Sequence, residues 1–406
     1  MEVIKVRKFR MLRKITIAAI TVLLAVSAGC ESHAQSKRDA RQRWDKTSSR
    51  IKLTLAQQQY DAGNYDRAAK AVQECLNSDP NNAAAHLLYG KLLLENGRRD
   101  EAIGQLRLAL QLDEKLHESW YWLGAAAEEN RDYKRAYTHY AMALSLEPTN
   151  VDYIIAVAEV LAARNNLSDA EKLLTEKMMV LPRDVSLKVA TAELMGRMGN
   201  NDRAVELYKQ AMLMTTDNSD IAESLGYCYV FSGKWNEAAE IFDSLLEQCR
   251  QEQKKKLYLQ VMALCTMNGG QYGRAVNCYS QLSVEERDNA EIWVKIGQAA
   301  LGAGATNRAL KCGQKALELQ PGHTNAIALI GCAQYAGGDY TAALESFERI
   351  AGDKKNAGFS WLMRARCYAQ LGQTNKAERA YKRALEINPS SELGDFLAKG
   401  KDIQDW

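Results

Sequence analysis

The sequence predicts an all-α fold, a superhelical solenoid of about ten helix–turn–helix repeats with a capping helix at the C-terminus. Three observations predict it. The five prolines, Pro80, Pro148, Pro182, Pro321 and Pro389, are 68, 34, 139 and 68 residues apart. These separations are two, one, four (with three residues over) and two steps of 34, the period of a stacked helical hairpin. On that frame one slot holds Ala in every unit, and another holds only Gly or Ala.

The units begin at Ser49, Ala83, His117, Val151, Val185, Ser219, Lys256, Ala290, Thr324 and Gly358, and the last ends at Ser391. One break is needed, the three residues 253–255 in the charged run QCRQEQKKK. The eighth residue is Ala56, Gly90, Gly124, Ala158, Ala192, Gly226, Ala263, Gly297, Gly331 or Ala365. The twentieth is Ala68, Ala102, Ala136, Ala170, Ala204, Ala238, Ala275, Ala309, Ala343 or Ala377. Small side chains at a helix crossing let two backbones approach closely. The fifteenth is Gly in eight units, including Gly63, Gly97, Gly199 and Gly372, and suits the left-handed residue that ends a first helix. Asn165 tolerates that conformation, and Arg131 departs from the pattern. The twenty-fourth is large in nine units, and the exception, Gly313, predicts looser packing in the eighth unit. The prolines fall where the second helix stops.

These slots resemble the tetratricopeptide repeat family. The best single match is HESWYWLGAAAEENRDYKRAYTHYAMALSLEPTN, 117–150, with Trp120, Leu123, Gly124, Tyr133, Ala136, Tyr140, Ala143 and Pro148 in the family's places. The resemblance covers 49–391, as repeats 1–6 (49–252), the short insertion 253–255 and repeats 7–10 (256–391). It implies a right-handed superhelix whose inner groove is lined by the first helix of each unit. Residues 392–406 are expected to form a polar capping helix pinned by Trp406.

In the family the ligand-facing slots are 2, 5, 9, 12 and 13. Units three to six place Glu118, Tyr121, Glu128, Glu129, Asp152, Glu159, Glu193, Asp220, Glu223 and Tyr227 there, with Arg197 as the main opposing charge. Units six to nine place Val230, Phe231, Leu257, Leu264, Met267, Val294, Leu301 and Tyr335 there. An acidic stretch running into an apolar, aromatic one suits a protein segment carrying basic and apolar residues. The competing reading makes the acids a solvated face and the apolar residues packing between repeats. Chaperone-binding members clamp a peptide carboxylate with cations. Here the corresponding places hold Leu53, Gln57, Leu88, Glu118 and Trp122, none of them a cation.

The N-terminus carries a different signal. Residues 1–14 are basic, and 15–29, ITIAAITVLLAVSAG, are uncharged. Fifteen apolar or small residues fall short of the roughly 20 that a membrane-spanning helix needs. A basic segment, a short apolar run and small residues read as a signal peptide over 1–29, starting at Met1 or Met11. Ser27-Ala28-Gly29-Cys30 resembles a bacterial lipobox, although Ser27 stands where Leu is usual. The resemblance implies cleavage before Cys30 and a lipid on its thiol. Glu31 then implies sorting to an outer membrane, facing the periplasm. Cleavage after Ser32-His33-Ala34 and an uncleaved anchor are the alternatives. Residues 30–48 read as a polar tether, with Trp44 packed on the first helix or, as the alternative, resting on the membrane surface.

Hydrophobic residues make up 47% of the 406-residue chain and charged residues 25%, and the net charge is +3. Beyond residue 29 there are 47 basic and 49 acidic residues, a net of −2. The body therefore offers no electrostatic case for nucleic acid. No phosphate-binding glycine loop, HExxH or GxSxG is present, and the five histidines lack metal spacing. No catalytic site, cofactor, metal or small-molecule substrate is expected. Beyond Cys30, eight cysteines contain no CxxC and recur in shared slots, which predicts buried, reduced thiols. The expected function is a non-enzymatic, lipid-anchored scaffold in the cell envelope. It would bind a protein or peptide and serve pilus or secretion assembly, outer-membrane assembly or polysaccharide export. The alternative is a cytosolic or inner-membrane-anchored regulatory adaptor.

Overall fold

The computed structural model describes residues 35–216 and 218–388, which fall into two compact units, one ending at Ala190 and the other beginning at Thr191. Among the described residues there is no strand. The first unit contains α1 (35–61), α2 (Tyr65–Ser78), α3 (Ala83–Glu95), α4 (Arg99–Leu112), α5 (His117–Glu129), α6 (Tyr133–Leu146), α7 (Val151–Ala163) and α8 (Leu167–Val180). The division falls within α9 (Val185–Arg197). The second unit continues with α10 (Asn201–Met212), α11 (Ser219–Phe231), α12 (Trp235–Gln248), α13 (Glu252–Asn268), α14 (Tyr272–Glu285) and α15 (Ala290–Gly302). It closes with α16 (Thr306–Leu319), α17 (Thr324–Ala336), α18 (Tyr340–Arg349), α19 (Ala357–Gln370) and α20 (Thr374–Ile387).

Odd-numbered helices open the hairpins and even-numbered ones close them. The ten alanines at the twentieth slot are 0–4% exposed. Across from them, the small eighth residue is covered by the large twenty-fourth. A Cβ on Gly90 would lie 2.7 Å from Leu106 Cγ, and one on Gly226 would lie 2.9 Å from Phe242 Cε2. Each hairpin also needs the next. One core cluster joins Ala56, Ala68 and Val72 to Leu88 and Leu92 of α3, and another joins Leu87, Leu106 and Leu110 to Leu123 of α5. A single hairpin cannot bury both of its apolar faces, so the repeats stack.

All ten residues at the fifteenth slot have positive φ, including Asn165 (63°) and Arg131 (58°). The next amide then reaches back to close the helix, as Arg98 N–H does to Leu93 O at 2.8 Å and Asp132 N–H to Ala127 O at 2.9 Å. Arg131 thus keeps the turn without a glycine's freedom. First helices are often capped by the residue before them: Asn82 and Asn150 accept the amides of Ala85 and Tyr153 at 3.1 and 3.2 Å.

The insertion 253–255 adds a turn to the start of α13, which has 17 residues where its counterparts α11 and α15 have 13. Three expectations change. The tether is helical from residue 35, because 35–48 holds no Gly or Pro and is rich in Arg, Lys and Gln that extend α1 outward. Trp44 does not pack there: it is 73% exposed, since α1 first meets a neighbour near Ser49, which is 0% exposed. The eighth unit is not loosely packed. A Cβ on Gly297 would strike Leu329 of the following repeat, and one on Gly313 would lie 2.6 Å from Ile330. The next first helix has moved into the space that a large twenty-fourth residue fills elsewhere. Residues 1–34 and 389–406, and with them Cys30 and the capping helix, lie outside the described residues.

Candidate functional site

The acidic candidates of the first unit converge on a group of tyrosine rings. Tyr121 on α5 stacks on Tyr153 of α7 with ring centroids 5.1 Å apart and planes 29° from parallel. It also meets Tyr140 of α6 at 5.3 Å, and the edge of Trp122 at 5.7 Å. The Tyr140 hydroxyl donates to Glu128 Oε2 at 2.8 Å, and Tyr153 shares a 2.8 Å hydrogen bond with His117. Burial first, then surrounding carboxylates, raise the hydroxyl pKa values of all three tyrosines. The carboxylates are Asp152, Glu159 and Glu128 at Tyr121, Glu128 and Glu159 at Tyr140, and Glu118 and Asp152 at Tyr153. Asp152 and Glu159 are exposed on α7.

Two cations enter this region. Lys91 of α3 pairs with Glu118 and lies 5.5 Å from the Trp122 ring centroid. Arg99 donates to Glu129 at 2.8 Å, so Glu129 is charge-compensated at the end of α5. Tyr121, Glu128, Asp152 and Glu159 are thus brought together over the buried Tyr140 and Tyr153, and Glu118 beside them is compensated by Lys91 as Glu129 is by Arg99. Such a surface attracts an ammonium or guanidinium group by charge, with the half-buried ring of Tyr121 beside it.

In the second unit the candidates are spread out. Glu193 is exposed on α9. Tyr227 is half-buried, edge-on to Phe242 at 5.2 Å. Glu223 accepts the Tyr258 hydroxyl at 2.6 Å and pairs with Lys254 at 3.4 Å. Phe231 is 78% exposed, and Leu257 and Leu264 are 43% and 45% exposed. Tyr335 lies against Tyr340 at 5.4 Å. Val294 is fully buried, and Val230, Met267 and Leu301 lean on the core, so these four are packing residues. Sequence reasoning missed the roles of Tyr153 and Lys91. Lys91 stands in a ligand-facing slot of the second unit and was legible there; Tyr153 stands in a third slot, which the frame treats as packing.

Among the described residues no group of His, Cys, Asp and Glu could hold a metal ion, and no helix is long and apolar enough to cross a membrane. The eight cysteines beyond Cys30 are free, six of them buried, with Cys249 and Cys332 half-buried.

Stacked 34-residue hairpins with small crossing residues define a helical-repeat protein, a class whose stacked surfaces serve as extended binding faces. The chain belongs to the tetratricopeptide repeat family. Tetratricopeptide repeat profiles match residues 59–121, 117–150 and 197–265. The middle TPR-like domain of cilia and flagella-associated protein 70 matches 259–383. The chain is 22% identical over 329 residues to the BBSome complex member BBS4 homolog of Drosophila melanogaster, covering 80% of this chain and 62% of the fly protein. It is 24% identical over 297 residues to cellulose synthase operon protein C of Xanthomonas axonopodis, covering 72% of this chain and 19% of that one. It is 24% identical to Hsp70-Hsp90 organizing protein 1 of Glycine max, covering 63% and 44%. It thus spans less than two thirds of these relatives' lengths. Among solved structures, the C-terminal part of a repeat protein from Cytophaga hutchinsonii aligns with a TM-score of 0.43 at 16% identity, covering 61% of this chain and all of that one.

Proposed function

We propose that the chain is a non-enzymatic scaffold that captures protein segments bearing basic and apolar residues on the faces of its first helices. The observation that carries this reading is the clustering of Glu118, Glu128, Asp152 and Glu159 around Tyr121, Tyr140 and Tyr153. Membership of a repeat family with partner-binding relatives, one of them named as an Hsp70–Hsp90 organizer, supports it. The finer part of the proposal is a lipid on Cys30 that fixes the scaffold to a cell-envelope membrane, with the array in the periplasm. Anchoring raises the effective concentration toward other membrane-bound partners, as assembly or export of an envelope complex requires.

Binding of the full chain to arrayed peptides tests the surface. Peptides alternating Lys and Leu are expected to bind, and Asp152→Lys with Glu159→Lys is expected to weaken capture at least about tenfold, one charge-assisted contact's worth. Unchanged capture by the variant overturns the site. The anchor is tested by membrane fractionation with the mass of the mature N-terminus, comparing Cys30→Ser. A second reading, a cytosolic or inner-membrane-anchored adaptor, is favoured by the free thiols, which suit a reducing compartment. A chain that keeps Met1 or Met11 without lipid selects it.

A further inference from the structure

We propose that the cleft between α4 and the α5–α6 hairpin, away from the tyrosine cluster, binds a phosphate-type oxyanion. The cleft is a cavity of about 90 Å³ whose polar lining is Arg107, Asn130, Asp132, Arg135 and His139. Three features point to an anion.

The first is register. Arg107 and Arg135 occupy the twenty-fifth slot of one repeat and the nineteenth of the next. At the same junction further along, Asp243 accepts from Arg274 at 2.8 Å, and Ser280 accepts from Arg308 at 3.2 Å. Here an arginine faces an arginine. The second is charge balance. Asp132 is the carboxylate in the lining; its Oδ1 caps α6 by accepting the Arg135 amide at 3.1 Å, and its Oδ2 lies 3.4 Å from Arg135 Nε. The Arg107 guanidinium makes no hydrogen bond or ion pair among the described residues, so the one carboxylate of the lining meets Arg135 alone.

The third is His139. Its ring stacks on Trp120 with centroids 5.6 Å apart, and its Nδ1 is shielded from solvent without a hydrogen-bond partner. Nδ1 is closed to the cleft as well as to bulk solvent, so the ring bears on the cleft through its charge. Burial lowers the imidazole pKa, and Arg107 and Arg135 lower it further, with Asp132 opposing them. An oxyanion between the two guanidiniums reverses that balance. It favours the imidazolium by charge, so binding is accompanied by proton uptake at His139.

The test is a titration of the full chain with inorganic phosphate and, separately, with phosphoserine. The histidine Cε1 proton signals are followed by NMR across pH 5–8, and the His139 signal is assigned by its loss in His139→Gln. The expected result is a rise in the His139 pKa on adding either ligand, and binding weakened at least about tenfold in Arg107→Gln. Tighter binding of phosphoserine identifies a phosphate monoester as the natural group; tighter binding of inorganic phosphate identifies the free ion. Arg107 is exposed, so its substitution leaves the fold in place. An unchanged His139 pKa, or equal binding by wild type and Arg107→Gln, overturns the proposal.

Discussion

Gly124 passes so close beneath Tyr140 that a Cβ on it would lie 2.5 Å from Cδ1 of the ring. The ring is 3% exposed, and its hydroxyl is held by Glu128 at 2.8 Å. It cannot swing aside without giving up a charge-assisted hydrogen bond. Gly124→Ala is therefore expected to destabilise the first unit by about 1–2 kcal/mol, overpacking outweighing the gain in helix propensity. Gly104, inside α4, has open space where a Cβ would stand, with nothing within 4 Å, and Gly104→Ala is expected to stabilise by roughly 0.5–1 kcal/mol. Urea denaturation followed by circular dichroism compares the two, and a shift of the same sign in both contradicts the crossing argument.

Arg131 holds φ at 58° in a turn where eight of the ten units have glycine. A side chain in this region costs about 1–2 kcal/mol, and part of the relief is lost to glycine's freedom in the unfolded chain. Arg131→Gly is expected to raise stability by about 0.5–1 kcal/mol, read from the thermal midpoint. Gly97→Ala, made at the equivalent turn, is expected to lower it.

Leu329 carries the packing of two repeats, because it sits over Gly297 where no large twenty-fourth residue is available. It is 3% exposed. Leu329→Ala is expected to cost about 3 kcal/mol through the cavity it leaves. Hydrogen exchange should show the loss in α15 and α16 as well as in α17. Loss confined to α17 contradicts the shared role.

Alkaline pH is expected to weaken the fold. Burial pushes the Cys265, Cys332 and Cys367 thiols up to about 11, with Cys332 adding to the rise at Cys367. Burial and then nearby carboxylates push the Tyr60 and Tyr153 hydroxyls up to about 12. Each group keeps its proton in the folded chain at a pH where the unfolded chain has lost it. The folded state then binds more protons, so stability falls as pH rises. The fall is expected to begin near about pH 9 with the thiols and to continue through roughly 10–12 with the tyrosines. The urea midpoint measured from about pH 7 to 11 checks the sign; a rising midpoint refutes it.

The repeat frame was legible because its cause is local and recurrent. Every unit must bring two helices together at the same two points, so Ala136 and Gly124 have counterparts in all the other units. The candidate surface was legible only in part. The slots named Glu118, Tyr121, Glu128, Asp152 and Glu159, which the structure gathers around three tyrosines, but gave no sign that Glu118 is compensated by Lys91 and Glu129 by Arg99. They also placed Val294 on the surface when it is fully buried. Whether a side chain in a given slot faces solvent depends on the bulk of the residues beside it.

By itself, the sequence determined the class of fold, the ten hairpin frames and the small residues at each crossing. These follow from period and side-chain size, which a single chain displays directly. The tertiary structure decided what happens where the frame is broken. It turned 253–255 into an extra helical turn, filled the gap at Gly313 with Leu329 and Ile330, and forced Arg131 into a glycine's conformation. It also set Arg107 against Arg135 and His139. Those outcomes depend on which residues of adjacent repeats meet across a helix junction, and such meetings are fixed by packing in three dimensions.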